Sequence, residues 1–492
     1  MGIITGREYM DRIDRQQANV WVEGERVKGK ISEHPAFSGV MRSQAKLYDM
    51  QHCKDKQHIL TFRTSSGELA GASFLRPTTR EDLEHRRLAF QEWAKISAGM
   101  MGRSPDYMNT AVMALSSAAD FFGQQQPEYA EHLHSLYERA MKHDWSFTHT
   151  FINPQVNRSL CYFEDDKEII AAKVVRETTD GIIVHGARLL ATQGGITDEL
   201  LVLPAGGNYI GDEYVYAFSI PSNTPGLKFV CRQSFAGDSA FNDPLSSRFE
   251  EVDAIVVFDN VLVPWERVFL YKNAWIAKDL YAESHLSAML LHQVLARRVV
   301  KTEYFLGVVH LLIEAIQIGE YQHVKEKASE IAAALEALKA LLYASEKEAK
   351  LDARGTMVPD LAPLSAAAFL YPRIYPRFTE IVQLLGASGL VCLPTESDFS
   401  SAIRSDLDRY LQAATLPAEE RVQLFRLAWD MTMSAFGTRQ TLYERFFFGD
   451  PVKFAVSFYN GYDKTKSVEM VQQFLDHTAN RQKDDSLDEE RK

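Results

Sequence analysis

The sequence of 492 residues is 46% hydrophobic and 24% charged, an ordinary globular composition too long for one core, and about 150 residues per domain predicts roughly three domains. A formal net charge of -12 without a long basic block excludes nucleic acid as a partner. Cys53, Cys161, Cys231 and Cys392 stand singly with no metal-ligand spacing, so no metal is expected and the thiols read as reduced and mostly buried in a cytoplasmic protein. No secretory leader opens the chain, and the longest apolar helical run, 305–313, is interrupted by His310, so no membrane association is expected.

In chain order, residues 1–146 read as a mainly helical domain after a hairpin-like entry at 20–27. A charged helical pattern from Arg80 to Lys95 runs out at Gly102, a candidate C′ residue. Ser104 then reads as an N-cap, Pro105 as the first helical residue and Asp106 as a first-turn acid, with Met108, Val112, Leu115, Ala119 and Phe122 at helical spacing behind them. Arg103 and Tyr107 thus share a helix mouth whose unpaired N–H groups and dipole favour a carboxylate or phenolate. An ordinary helix corner with Arg103 in a surface ion pair fits the same spacing.

Residues 147–278 change to short β-branched runs broken by turns: 169–175, the Thr179-Asp180-Gly181 hairpin signal, 182–186, then 199–203, 214–220, 227–231 and 254–258. They predict a small antiparallel barrel or sandwich. Residues 279–477 return to long helices at 284–318, 322–352, 363–387 and 418–447, the pattern of an antiparallel four-helix bundle. The charged tail 478–492 reads as disordered. This α+β order of helical domain, β-barrel domain and four-helix bundle resembles acyl-CoA-dehydrogenase-like flavoproteins, whose flavin sits between the β domain and the bundle.

The chain has no GxGxxG, GxxxxGK[ST], HExxH or GxSxG motif, so reducing equivalents are expected from another protein. Three further clusters carry polar chemistry. Thr148 to Arg158 offers His149, able to change protonation near neutrality, and the donors Gln155 and Arg158; a boundary histidine satisfied by backbone carbonyls is the bland alternative. Ala187 to Gly195 ends a strand-like run in Thr192 and two glycines, where Thr192 could hydrogen-bond a flavin nitrogen or a peroxide, or simply end a strand. Phe436 to Pro451 closes a helix in an aromatic patch, equally readable as plain helix termination.

Thr5 to Tyr9, His34 to Phe37, Gly102 to Tyr107, Thr148 to Arg158, Leu189 to Thr192, Phe258 to Phe269 and Phe436 to Pro451, in this order, resemble the oxygenase components of 4-hydroxyphenylacetate 3-monooxygenases. The resemblance implies a two-component flavin monooxygenase. A separate flavin reductase would supply diffusible FADH2, and O2 would be the co-substrate. The phenol would be hydroxylated ortho to its hydroxyl through a C4a-hydroperoxyflavin. It implies that Arg103, Tyr107 and His149 hold the phenolic oxygen beside Ser104, and that a loop near Pro204, Ala205 and Gly206 covers the substrate. Hydroxyl residues are expected in that loop, and their replacement by 204–207 leaves the phenol open among 4-hydroxyphenylacetate, tyrosine, p-coumarate-like phenols and halophenols. Gln155, Val156, Asn157, Arg158, Leu190, Ala191, Thr192, Phe448, Gly449, Asp450 and Pro451, with His149, would line the flavin. The family also implies a homo-oligomer, a tetramer or a dimer.

Two rivals share the fold. A 4-hydroxybutyryl-CoA dehydratase needs cysteine and histidine ligands for an iron–sulfur cluster, and His292 has no cysteine within two turns. An acyl-CoA dehydrogenase needs a helix-borne carboxylate base, for which Glu314, Glu320 and Glu396 are the candidates.

Overall fold

The computed structural model describes residues 2–156, 168–205 and 211–476; Asn157, Arg158, Cys161, Gly206 and the 478–492 tail lie outside the described residues. The chain up to Arg445 forms one compact unit, and residues from Phe446 onward form a second.

In the first unit, the Arg80–Ile96 helix starts on a capping box in which Thr79 Oγ1 accepts from Asp82 N and the Asp82 carboxylate accepts from Thr79 N. It ends at Ile96, where the charge pattern runs out, but its left-handed exit comes before Gly102. The left-handed residues are Ala98 (φ 51°) and Gly99 (φ 69°), so Gly102 is not the C′ residue. The Pro105–Ser117 helix opens with Pro105 at its first position, as expected. Ala118 (φ -115°, ψ 27°) separates it from a short Ala119–Gly123 helix, so the predicted continuous run is broken there.

Ten strands build two sheets. One runs, edge to edge, Glu25–Arg26, Val20–Val22, Leu227–Cys231, Asp253–Pro264, Gly181–Thr192 and Lys173–Glu177. The other runs Val268–Tyr271, Tyr216–Pro221, Glu199–Val202 and Phe147–Thr150. The 173–177/181–192 hairpin forms at the Asp-Gly turn, with Thr178 Oγ1 accepting from Asp180 N and Gly181 N.

Two pairings depart from the expected antiparallel pattern. Val20–Val22 runs parallel to Leu227–Cys231, and Phe147–Thr150 runs parallel to Glu199–Val202. Both join segments linked by long connections rather than hairpins, the condition for parallel pairing. Phe147–Thr150 and Val268–Tyr271, each four residues long and buried on both faces, were not among the predicted strands.

The Leu286–Ala315, Gln322–Lys347, Leu361–Gly386 and Ala418–Thr432 helices pack on one another as a bundle. The first is buried around most of its circumference and carries Arg297, Arg298 and Lys301 inside. The helix expected over 418–447 is two, because Ser434 Oγ turns back onto Asp430 and accepts from Gly437 N, starting Ala435–Phe446 afresh.

In the second unit, Asp450 caps the Pro451–Gly461 helix by accepting from Val452 N, and Gly449 (φ 86°) makes the turn before it. The cysteine expectation is corrected at two of the three described positions: Cys231 is buried, whereas Cys53 and Cys392 are exposed. Among the described residues, no helix is long and apolar enough to cross a membrane.

Candidate active site

Arg103 and Tyr107 lie one helical turn apart, both buried, with the guanidinium carbon 4.3 Å from the centre of the Tyr107 ring. The His149 ring centre is 5.9 Å from that of Tyr107, and His149 stacks on Phe151 at 5.4 Å. Two side-chain bonds fix the register of the strand that carries it: Thr148 Oγ1 donates to the Thr192 carbonyl and Thr150 Oγ1 to the Leu189 carbonyl, each at 2.7 Å. The three side chains that the sequence nominated as a clamp therefore meet in one buried spot.

Its electrostatics differ from the sequence reading at one point. Burial, reinforced by Arg103, drives the His149 imidazole well below its usual 6.5, so His149 is neutral at pH 7 and does not titrate near neutrality. Burial also raises the Tyr107 phenol, against the pull of Arg103, Arg297 and Arg298. The spot thus presents a fixed cation, a neutral imidazole and a neutral phenol.

The loop just ahead of the helix is tied to a carboxylate of the chain. Gly102 N and Arg103 N both donate to the Glu251 carboxylate at 2.7 Å, and Gln193 Nε2 donates to it at 3.0 Å. Ser104 sits at the N-cap without capping; its hydroxyl bonds Asp106, whose buried carboxyl also accepts from Gln293 Nε2 at 2.9 Å. Burial raises Glu251, while Arg439 and the two amides pull it down.

Glu251 and Asp253 are residues that sequence reasoning missed. Arg439, inside the fourth cluster, links them: its guanidinium reaches Asp253 Oδ1 at 2.7 Å and lies 3.9 Å from Glu251. A second buried set joins Arg297, Arg298 and Lys301 to Glu444 at 2.8, 3.0 and 2.9 Å. Three cations within two turns of the helix that is buried around most of its circumference were its signal in the sequence.

Several of the candidate flavin-lining residues lie close to the strand that carries His149. Ile152 bridges Leu189 in antiparallel fashion, and Thr148 and Thr150 bond the Thr192 and Leu189 carbonyls, so Leu190, Ala191 and Thr192 run beside the 148–151 stretch that carries His149, while Asn153 lies next to the bridge on its other side. Val156 and Leu190 are 52% and 54% exposed, and Asn153 Oδ1 is buried with no hydrogen-bond partner among the described residues. Leu190 (φ 64°) and Gln193 (φ 63°) are both left-handed, a cost of about 1–2 kcal/mol each that bends the strand end around Thr192. Open apolar side chains beside an unfilled buried acceptor and a hydroxyl suit a flat heteroaromatic ring with a polar edge, so the residues present fit a flavin.

Pro204 and Ala205 are buried after the Glu199–Val202 strand, while Gly206, Asn157 and Arg158 lie outside the described residues. Phe448, Gly449, Asp450 and Pro451 lie in the second unit, where Phe448 packs on Phe447 at 4.9 Å. Glu314, Glu320 and Glu396, the acids a dehydrogenase would use, are all exposed.

Comparison with known proteins follows the same lines. The chain matches the family models of the 4-hydroxyphenylacetate 3-hydroxylase N terminal over residues 5–270 and C terminal over residues 277–476. It is 52% identical over 477 residues to a probable 4-hydroxyphenylacetate 3-monooxygenase of Bacillus subtilis, covering 96% of this chain and 99% of that protein. A crystal structure of an oxygenase component of 4-hydroxyphenylacetate 3-monooxygenase, complexed with FAD and 4-hydroxyphenylacetate, superposes with a TM-score of 0.93 at 45% identity over 97% of this chain and 99% of that one. An archaeal 4-hydroxybutyryl-CoA dehydratase from N. maritimus shares the fold alone, with a TM-score of 0.86 at 16% identity over 96% of this chain and 95% of that one. On these grounds the chain belongs to the 4-hydroxyphenylacetate 3-hydroxylase family.

Proposed function

We propose that this chain is the oxygenase of a two-component monooxygenase that uses FADH2 and O2 to hydroxylate 4-hydroxyphenylacetate ortho to its hydroxyl. The buried Arg103–Tyr107–His149 cluster carries the reading. Reduced flavin, when bound, supplies the activation of dioxygen and the oxygen atom that enters the ring. The chain supplies the rest. Arg103, a permanent cation in a dry site, draws the bound phenol toward phenolate and so enriches its ortho carbon for electrophilic attack. His149, held neutral, offers a ring-nitrogen lone pair that accepts a hydrogen bond from the phenolic hydroxyl, and Tyr107 can donate to the phenolic oxygen. Ser104, Pro204, Ala205 and Gly206 are assigned to the substrate side. Gln155, Val156, Asn157, Arg158, Leu190, Ala191, Thr192 and Phe448 to Pro451 are assigned to the flavin side.

A homo-oligomer, tetramer or dimer, in the cytoplasm completes the proposal. It is supported by the second unit, where Val452, Tyr459 and Phe474 are 70%, 66% and 72% exposed.

The test is aerobic turnover with supplied FADH2 across a phenol panel, scoring catechol against hydrogen peroxide. Catechol from 4-hydroxyphenylacetate is expected, with R103A and H149A releasing peroxide instead. Peroxide alone from wild type with every phenol, or normal hydroxylation by both variants, overturns the assignment.

A further inference from the structure

One hydroxyl on the proposed flavin side has its polarity set by the chain. Thr192 Oγ1 donates to Asp253 Oδ1 at 2.7 Å. Asp253 Oδ1 also accepts from Arg439 Nη2 at 2.7 Å. Asp253 Oδ2 accepts from Arg439 Nε at 3.2 Å and from Arg232 Nε at 3.0 Å. Burial alone would raise this carboxyl, but the two guanidiniums and the Thr192 hydroxyl hold it down to about 2, so it stays an acceptor across the working range. The single proton of the Thr192 hydroxyl is therefore committed, and only its lone pairs face outward. The flanking left-handed residues Leu190 and Gln193 fix the backbone that presents it.

A flavin ring carries an N–H at N5 when reduced and a bare nitrogen lone pair there when oxidised. A hydroxyl that can only accept favours the first form and opposes the second. We propose that Asp253 and Arg439 are positioning residues that lock Thr192 Oγ1 as a one-way acceptor, making the site selective for reduced over oxidised flavin. This inference rests on the reduced-flavin reading above. It assigns the selectivity to a carboxylate and an arginine rather than to Thr192 alone.

Asp253→Asn tests it sharply. Two guanidinium N–H groups, Arg439 Nε and Arg232 Nε, converge on Oδ2 and only one, Arg439 Nη2, on Oδ1, so the asparagine oxygen takes the Oδ2 position and its NH2 faces Thr192 at the cost of the Arg439 Nη2 bond. The hydroxyl then accepts from the amide and donates outward. Full-length wild type, D253N, T192V and T192S are titrated anaerobically with FADH2 and with FAD. Wild type is expected to favour FADH2, and D253N and T192V to lose about tenfold of that preference, the worth of one hydrogen bond. T192S is expected to keep it.

Wild-type preference retained in D253N overturns the proposal, as does equal preference in T192V and T192S. Where D253N does not fold, the T192V and T192S pair decides, since neither change touches the Asp253 carboxylate: the preference is expected to be lost in T192V and kept in T192S. Binding of neither flavin form by wild type overturns the flavin reading itself, which separates that failure from this one.

Discussion

Gly102→Ala probes the clamp without removing any polar group. Gly102 has no left-handed φ, so alanine is allowed by the backbone and the effect is steric. A Cβ at this position would stand 2.2 Å from Tyr443 Oη and 2.4 and 2.5 Å from two of its ring carbons. Tyr443 has little room to retreat, because the Arg439 and Arg103 guanidiniums lie 4.4 and 5.4 Å from its ring centre. Nor is the loop loose: Gly102 N and Arg103 N are tied to Glu251.

Restoring ordinary contact, about 3.5 Å between carbons, requires a shift of about 1 Å shared between the tyrosine and the Arg103 loop. Overpacking of this size costs about 1–3 kcal/mol of stability. A displacement of about 1 Å in the group that orients the phenol costs up to about 100-fold in kcat/KM. Thermal unfolding reads the first effect; phenol KM and the ratio of catechol to peroxide read the second. The double variant G102A/Y443L removes the clashing ring atoms and is expected to recover phenol affinity while remaining less stable. Wild-type melting and coupling in G102A, or a double variant no better than the single, would refute the steric coupling between Tyr443 and Arg103.

Three further outcomes are expected. Because the folded His149 lies well below 6.5, its contribution to stability is complete above about pH 6.5 and is lost as pH falls below it, so H149N should flatten the stability-versus-pH curve there in chemical denaturation. Asp144 behaves oppositely. Burial lifts its carboxyl to about 6, so its contribution is present at low pH and lost as pH rises through about 6, and D144N should melt higher than wild type at about pH 7.5 but not at about pH 4. E444Q, which strips the carboxylate from Arg297, Arg298 and Lys301, should cost about 3–5 kcal/mol in denaturant unfolding. K301M in the E444Q background should return part of that loss, since burial already pushes Lys301 down to about 7. An E444Q variant as stable as wild type would refute the ion cluster as a structural element.

The parts of the site that lay in local sequence were legible. Ser104-Pro105 announced a helix start, and placing Arg103 and Tyr107 at its mouth needed only the 3.6-residue repeat. The Asp180-Gly181 turn announced its hairpin in the same way. What ties the loop ahead of that helix was not legible, because Glu251 reaches Arg103 N from 148 residues away and no local rule couples the two. The neutrality of His149 was also hidden, since it arises from burial against Tyr107 and Phe151 rather than from its neighbours in the chain. Asp253 was invisible for a related reason: an aspartate opening a strand reads as a turn residue until the guanidiniums of Arg232 and Arg439 are seen around it.

The parallel pairing of Val20 with Phe229 has a consequence for how the chain is made. The partner of that first strand leaves the ribosome about two hundred residues later, and Tyr9 and Arg12 likewise wait for Ile196 and Asp198. During synthesis the first helix can already pack on the 35–50 helix through Tyr9 and Tyr48, but the Val20–Val22 strand stays without its parallel partner until the β region has emerged. Closing so long a loop makes this a late and slow step of folding. Substitutions at Val20 or Phe229 should accordingly be felt as lower yield in the cell before they are felt as lower activity.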